Sequence, residues 1–165
     1  MEDKRITKTK CALKSALLKL LSTQAFDVIS ITELCKIANV SRITFYTHYK
    51  DKFALLDDIF NDMLIIGKEG YNRRQEENNP ENNLTQGYLN LLDSILSLYY
   101  ERYDFFQHVV PETNPYLAFR FYRILLDTVE SHTDKLRASH SLKYSARQIA
   151  GFICFGLFGF ISESY

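Results

Sequence analysis

The sequence predicts an all-α fold built from two helical modules. Apolar residues recur at helical spacing through most of the 165 residues, and no strand alternation is sustained. Only 6 glycines and 3 prolines occur, too few for an all-β chain that turns roughly every ten residues. The charge is divided: residues 1–50 hold nine Lys/Arg against four Asp/Glu, whereas residues 51–165 hold eleven against sixteen. The formal net charge of zero therefore conceals a basic end and an acidic body, which suggests a negatively charged partner at one end only. At 46% apolar and 24% charged residues the composition is ordinarily globular, and the zero net charge excludes a highly basic nucleic-acid coat or an acidic disordered tail.

The elements follow in order. Leu13, Ala16, Leu17, Leu20 and Leu21 share one face of a first helix over roughly residues 5 to 22, with Lys8, Lys10, Lys14 and Lys19 around the rest. The stretch Ala25-Phe26-Asp27-Val28 breaks it. Ser30-Ile31-Thr32-Glu33 reads as a capping box that opens a short second helix with Ile31, Leu34, Cys35 and Ala38 inward. Asn39 tolerates the left-handed backbone that ends a helix, and Ser41 can cap a third, in which Phe45 and Tyr49 lie four apart and face inward. Asp51 can cap a fourth, with Phe53, Leu56, Ile59, Phe60 and Met63 on its inner face. The polar stretch from Gly67 to Gly87, broken at Pro80, marks the boundary between a domain at 1–66 and one at 67–165, with one helix crossing part of it. Helical periodicity resumes from Leu84 to near Tyr103. A short apolar piece runs from Phe105 to Val110, Pro115 starts another helix, and Ser141 is placed to cap a last one.

Two short helices joined by a three-residue turn, after a longer helix, form a helix-turn-helix, whose second helix enters the DNA major groove. With Phe45 and Tyr49 inward, Arg42, Ile43, Thr44, Thr47 and His48 face outward and Tyr46 lies at the side. Arg42 can donate twice to a guanine edge or grip a phosphate, Ile43 suits a thymine methyl, and Thr44 and Thr47 can serve a base or a phosphate. His48 can donate to a phosphate or a base acceptor, and Tyr46, Lys50 and Lys52 can hold the phosphate backbone.

These residues carry a family resemblance. The run from Ile31 to Leu56, above all Thr44-Phe45-Tyr46, Tyr49, and Lys52 ahead of Leu55-Leu56, resembles the DNA-binding signature of the tetracycline-repressor (TetR) family, over residues 6 to 60. The resemblance implies an N-terminal three-helix DNA-binding domain and a C-terminal helical domain that dimerises and usually binds a small ligand. By position it implies that Tyr46, His48 and Lys52 hold the backbone while Arg42, Ile43 and Thr44 read bases. Members often carry Gly or Pro where Ile43 stands. They also usually continue past the segment resembling Ile149–Ile153, so with the sequence ending at Tyr165 a final helix that helps the dimer is expected to be absent. Residues 84–165 resemble, more faintly, the subgroup of dihydroxyacetone-kinase regulators.

The remaining chemistry-bearing residues form no constellation. Cys11, Cys35 and Cys154 are far apart and read as reduced thiols, and His108, His132 and His140 lack the spacing of a helical metal pair, so no metal and no cofactor is expected. No nucleophile elbow or phosphate loop occurs, so an enzyme is not expected. Asp57, Asp58 and Asp62 read as the solvated face of the fourth helix. The longest apolar run, Ile149 to Ile161, has 13 residues, short of the roughly 20 a membrane span needs, and the N-terminus lacks a signal peptide's apolar core; a cytoplasmic protein is expected. That last helix is apolar nearly all round, which calls for burial, preferably between two copies of the chain or else as the central helix of a monomeric core. Tyr88, Tyr99, Tyr103, Phe106, Phe119 and Tyr122 are candidates to line a ligand pocket, or else plain core. The expected function is a homodimeric, sequence-specific DNA-binding regulator of a palindromic operator, a repressor released by a small-molecule effector. The alternative is a co-activator whose C-terminal module binds a protein.

Overall fold

A computed structural model describes residues 4–137 and 141–162; His140 and Tyr165, which enter the sequence reading, lie outside them. The described residues form eight α-helices and no strand: α1 (Lys4–Leu21), α2 (Ile31–Ala38), α3 (Arg42–His48), α4 (Lys52–Asn78), α5 (Leu84–Glu101), α6 (Tyr103–Phe106), α7 (Pro115–Arg137) and α8 (Ala146–Ser162). A single 3-10 turn, Phe26–Val28, stands between α1 and α2.

The head is α1 to α3 with the start of α4, and its helix ends are locally determined. The Ser30 hydroxyl accepts the Glu33 amide at 3.2 Å while Glu33 accepts the Ser30 amide at 2.9 Å. Asn39 is left-handed at φ 54°, ψ 47°. Ser41 and Asp51 accept from the amides of Thr44 and Ala54 and so cap α3 and α4. Leu13, Leu17, Leu34, Phe45, Leu55 and Leu56 are fully buried and make the head's core; each contributes about 1.5–3 kcal/mol over an exposed position. Phe53, expected on the inner face of α4, is 37% exposed, because the first turn of α4 lies at the margin of the head, where its ring packs edge-on against Phe26 and Tyr116.

α4 is 27 residues long and runs without interruption from the head into the body, through the glycines and charged residues after position 66. The asparagine-rich run that follows is pinned by its own side chains. Asn90 of α5, fully buried, donates to Gln75 (2.6 Å) and Asn78 (2.8 Å) of α4 and accepts from Gln86 (3.0 Å). Asn79 accepts the Asn83 amide (2.7 Å), and Asn83 caps α5.

α4 and α7 run in parallel, as the contacts Asp57–Arg120, Phe60–Phe121 and Tyr71–His132 show by their nearly constant register. A cleft of about 620 Å³ opens between them and α5. α8 packs on α7 through Ala150, Cys154 and Leu157. It is capped by Ser145, not Ser141: the Ser145 hydroxyl accepts the Gln148 amide (3.2 Å) and Gln148 accepts the Ser145 amide (3.0 Å), a capping box that Ser141 has no partner to make. Among the described residues only one face of α8 is buried against the rest of the chain. Phe152 is 83% and Phe155 71% exposed, and a Cβ added at Gly151, Gly156 or Gly159 would meet nothing within 4 Å.

Asn90→Ala removes a buried amide whose bonds close the α4–α5 tip. It is expected to cost about 1–3 kcal/mol in urea unfolding, whereas a change at the exposed neighbour Leu89 should stay within about 0.5 kcal/mol.

Candidate nucleic-acid interface

The outward surface of α3 has the composition its sequence implies. Ile43 is 80% exposed, and Arg42, Tyr46, Thr47 and Lys50 are exposed as well; Thr44 and His48 are half-buried. The Thr44 and Ser41 hydroxyls share a hydrogen bond at 2.8 Å, and the Thr47 hydroxyl donates to the Thr44 carbonyl at 2.7 Å. Both threonines thus have a fixed rotamer, with methyl groups and oxygen lone pairs still available. The structure therefore brings seven of the eight residues named from the sequence (Arg42, Ile43, Thr44, Tyr46, Thr47, His48, Lys50) to one short helix and the turn after it.

Lys52 sits differently. Its ammonium donates to the carbonyl oxygens of Phe26 (2.9 Å), Asp27 (2.7 Å) and Ile29 (2.9 Å), which uses all three of its hydrogens, and it lies 5.0 Å from the centre of the Phe26 ring. Burial lowers its pKa, with nearby Asp27 opposing that shift. Lys52 therefore clamps the turn that precedes α2 and fixes the helix-turn-helix on α4.

Residues that sequence reading missed position this unit. The Tyr49 hydroxyl, just after α3, donates to Asp58 at 2.6 Å, and Lys14 of α1 bridges Asp58 (3.0 Å) and Asp62 (2.5 Å). The aspartates of α4, read as a solvated face, are thus ion-pair partners, and Asp57 binds Arg120 of α7. Burial and the Asp58 carboxylate push the Tyr49 phenol far up, so it stays a donor. Burial would raise the Asp58 carboxyl, but the bonds from Tyr49 and Lys14 outweigh it and hold the carboxyl below its ordinary value.

A second set of contacts joins head to body. The Phe26 amide donates to Asn114, a buried residue just before α7, at 2.7 Å, and the Phe26 ring stacks on Tyr116 at 5.6 Å and 11°. In sequence, Asn114-Pro115 reads only as a helix start.

The six aromatic residues considered for a pocket are not gathered at one cavity. Tyr99 and Phe106 are buried and line a hollow of about 240 Å³, and Phe106 also reaches the larger cleft. The Tyr88 hydroxyl pairs with Thr133 at 2.8 Å, Tyr103 and Phe119 are exposed, and Tyr122 packs on Phe155 and Phe158 of α8. Among the described residues no group of His, Cys, Asp and Glu could hold a metal ion, and no helix is long and apolar enough to cross a membrane.

Among the described residues, head and body together make an all-α fold that carries a helix-turn-helix at one end. Among solved structures, the dihydroxyacetone kinase operon activator DhaS is similar to this chain with a TM-score of 0.52 and 23% identity, over 88% of this chain and 80% of that one. A TetR transcriptional regulator from Streptococcus agalactiae 2603V is matched at a TM-score of 0.36 and 20% identity, over 93% and 96%. In sequence, 58 residues are 40% identical to the HTH-type transcriptional regulator YxbF of Bacillus subtilis (strain 168), which is described as uncharacterized; they are 35% of this chain and 14% of that protein. No family model matches the chain.

The Tyr49–Asp58 bond makes stability depend on pH with a defined sign. A carboxyl depressed on folding contributes stability above its unfolded pKa, and that contribution is lost as pH falls through the folded value. The stability gap between the wild type and Asp58→Asn in urea unfolding is expected to be largest near neutrality and to shrink below about pH 4.

Proposed function

We propose that the protein is a sequence-specific DNA-binding transcriptional regulator that works as a homodimer on a palindromic operator. The observation that carries this reading is the capped, outward-facing α3, with Arg42 and Ile43 exposed at its start and Tyr46, Thr47 and Lys50 beside them, on the basic end of the chain. In this reading residues 1–66 are the DNA-binding domain and residues 67–165 the regulatory and dimerisation domain, with α4 shared. Arg42, Ile43 and Thr44 read base edges; Tyr46, Thr47, His48 and Lys50 hold phosphates. Lys52 acts by fixing the turn before α2, and any phosphate contact it makes requires one of its three carbonyl bonds to be given up.

Two heads must sit about 34–36 Å apart, or a multiple, to enter successive major grooves on one side of the duplex. The uncovered face of α8 supports self-association: exposed Phe152, Phe155 and Phe160 supply apolar area, and the open glycines permit close backbone approach. In this reading the bound dimer represses by occluding polymerase. Release follows if an effector in the body binds better to a state whose heads are wrongly spaced. The same uncovered α8 face favours a second reading, in which it binds a different protein and the chain acts as a co-activator. The lack of a membrane-spanning helix among the described residues is in keeping with a cytoplasmic location.

Selection of bound duplexes from a random pool at two salt concentrations tests the reading. Enrichment of a palindrome with steep salt dependence is the expected result, and no enrichment at either salt would refute it. On the selected site, Arg42→Ala should cost about 1–3 kcal/mol and relax preference at one base pair, whereas Tyr46→Phe should weaken all sequences alike. Lys52→Met should lower the melting temperature along with DNA affinity, which a residue touching only phosphate would not do.

A further inference from the structure

The outermost ridge of α3 presents hydrocarbon, although a threonine stands in it. Ile43 and Thr47 lie two residues before and after the fully buried Phe45, so at about 100° per residue each is roughly 160° round the helix from the core. Four positions apart, they are neighbours on one face. Among the described residues of the head, Ile43 is the most exposed large apolar side chain, at 80%. It has no polar atom, and its χ1 angle is nearly fixed in a helix, so little freedom is lost when it is covered. The Thr47 hydroxyl donates its one hydrogen to the Thr44 carbonyl at 2.7 Å, and the Thr44 and Ser41 hydroxyls bond each other at 2.8 Å. A phosphate oxygen only accepts, so Thr47 can hold one only by giving up its bond inside the helix. With that bond kept, Thr47 offers a duplex its methyl group and an oxygen that can only accept.

We propose that the Ile43–Thr47 ridge reads the C5-methyl groups of pyrimidines in the major groove, by apolar contact and not by hydrogen bonding. This deepens the base-reading half of the proposed function, rests on it, and places Thr47 against a base edge instead of a phosphate. Other base edges fit worse. Guanine, adenine and cytosine present only acceptors and donors in the major groove, whereas thymine adds a methyl group. A polar edge covered by isoleucine loses its water and gains no bond in return. A methyl group covered by isoleucine loses nothing, and apolar area is buried on both sides. The two side chains are about 6 Å apart along the helix axis, which matches one to two base steps of about 3.4 Å. The ridge therefore takes two C5-methyl groups that lie one or two steps apart. Thymine supplies this group, and so does cytosine methylated at C5.

The test is a fluorescence-anisotropy titration of the full chain on the duplex recovered from the selection, with each thymine replaced in turn by deoxyuridine. That change removes the C5-methyl group and keeps the pairing edge and O4. Two positions in each half-site, one or two steps apart, are expected to lose about three- to fivefold in affinity, the worth of one buried methyl group. Ile43→Ala should erase the loss at one of them, with the melting temperature unchanged because the side chain is exposed. Thr47→Ser, which keeps the hydroxyl and removes the methyl, should erase it at the other, and Thr47→Val, which keeps the methyl and removes the hydroxyl, should preserve it. Comparing 5-methylcytosine with cytosine at the same positions separates the two sources. A matching gain means that any C5-methyl group is read, no gain means that thymine alone is, and either sustains a methyl reading once deoxyuridine has shown the loss. If no deoxyuridine costs more than about 1.5-fold, or if Ile43→Ala and Thr47→Ser both leave the losses in place, the proposal is overturned. An enriched palindrome would still sustain the regulator reading in that case, whereas a selection that enriches nothing removes both.

Discussion

The arrangement of the head depends on how one turn satisfies its backbone. Between α1 and α2 the chain reverses through Phe26–Val28, and its carbonyls cannot be left unpaired where they are covered by side chains. A single ammonium group, Lys52, takes the carbonyls of Phe26, Asp27 and, just past the turn, Ile29, and the Phe26 amide finds Asn114. α2 begins two residues beyond that turn and α3 three residues beyond α2. The direction in which α3 presents Arg42 and Ile43 is therefore set by a cation at the start of α4 and an amide at the start of α7. Tyr49, Asp58 and Lys14 fix the far end of α3 to α4 and α1 in the same way. The outward residues of α3 are thus presented by polar contacts that lie behind them.

How far this was legible in the sequence follows from the range of each interaction. Caps act over three residues, so Ser30, Asn39, Ser41 and Asp51 could be placed from the sequence, and with them the helix-turn-helix. Ser145 shows the same rule from the other side: Ser145 and Gln148 carry the box spacing, while Ser141 is only a plausible residue type. Inward positions within the head, such as Phe45 and Tyr49, follow from periodicity because α3 packs one face only.

Contacts between distant segments leave no such local signal. Lys52 looks like any basic residue at a helix start, and nothing near it in sequence indicates that its partners are 23 to 26 positions earlier. Asn114 looks like a cap. Asp57, Asp58 and Asp62 look like a charged surface because Lys14 and Arg120, which pair with them, lie on other helices. The cleft is read least well, since the spacing of aromatic residues along α5 and α7 does not say which of them the third wall, α4, will leave uncovered. The apolar character of α8 was plain in the sequence, but only the fold shows that one chain covers a single face of it.

The parallel course of α4 and α7 has a mechanical consequence. Both helices start at the same patch, where Asp57 meets Arg120 and Phe53 meets Tyr116, and both continue past the cleft without a break. They are the two arms of a pair of tongs whose pivot is the base of the head. Residues 63–72 lie some 11 to 20 positions beyond Lys52, or about 17–30 Å along the helix axis. Spreading the arms by 1 Å at that distance therefore turns them by only about 2–3°. Thin as that angle is, it is delivered at the pivot itself, with no joint between to absorb it, so any wedge in the jaws is felt first by the turn that carries α3.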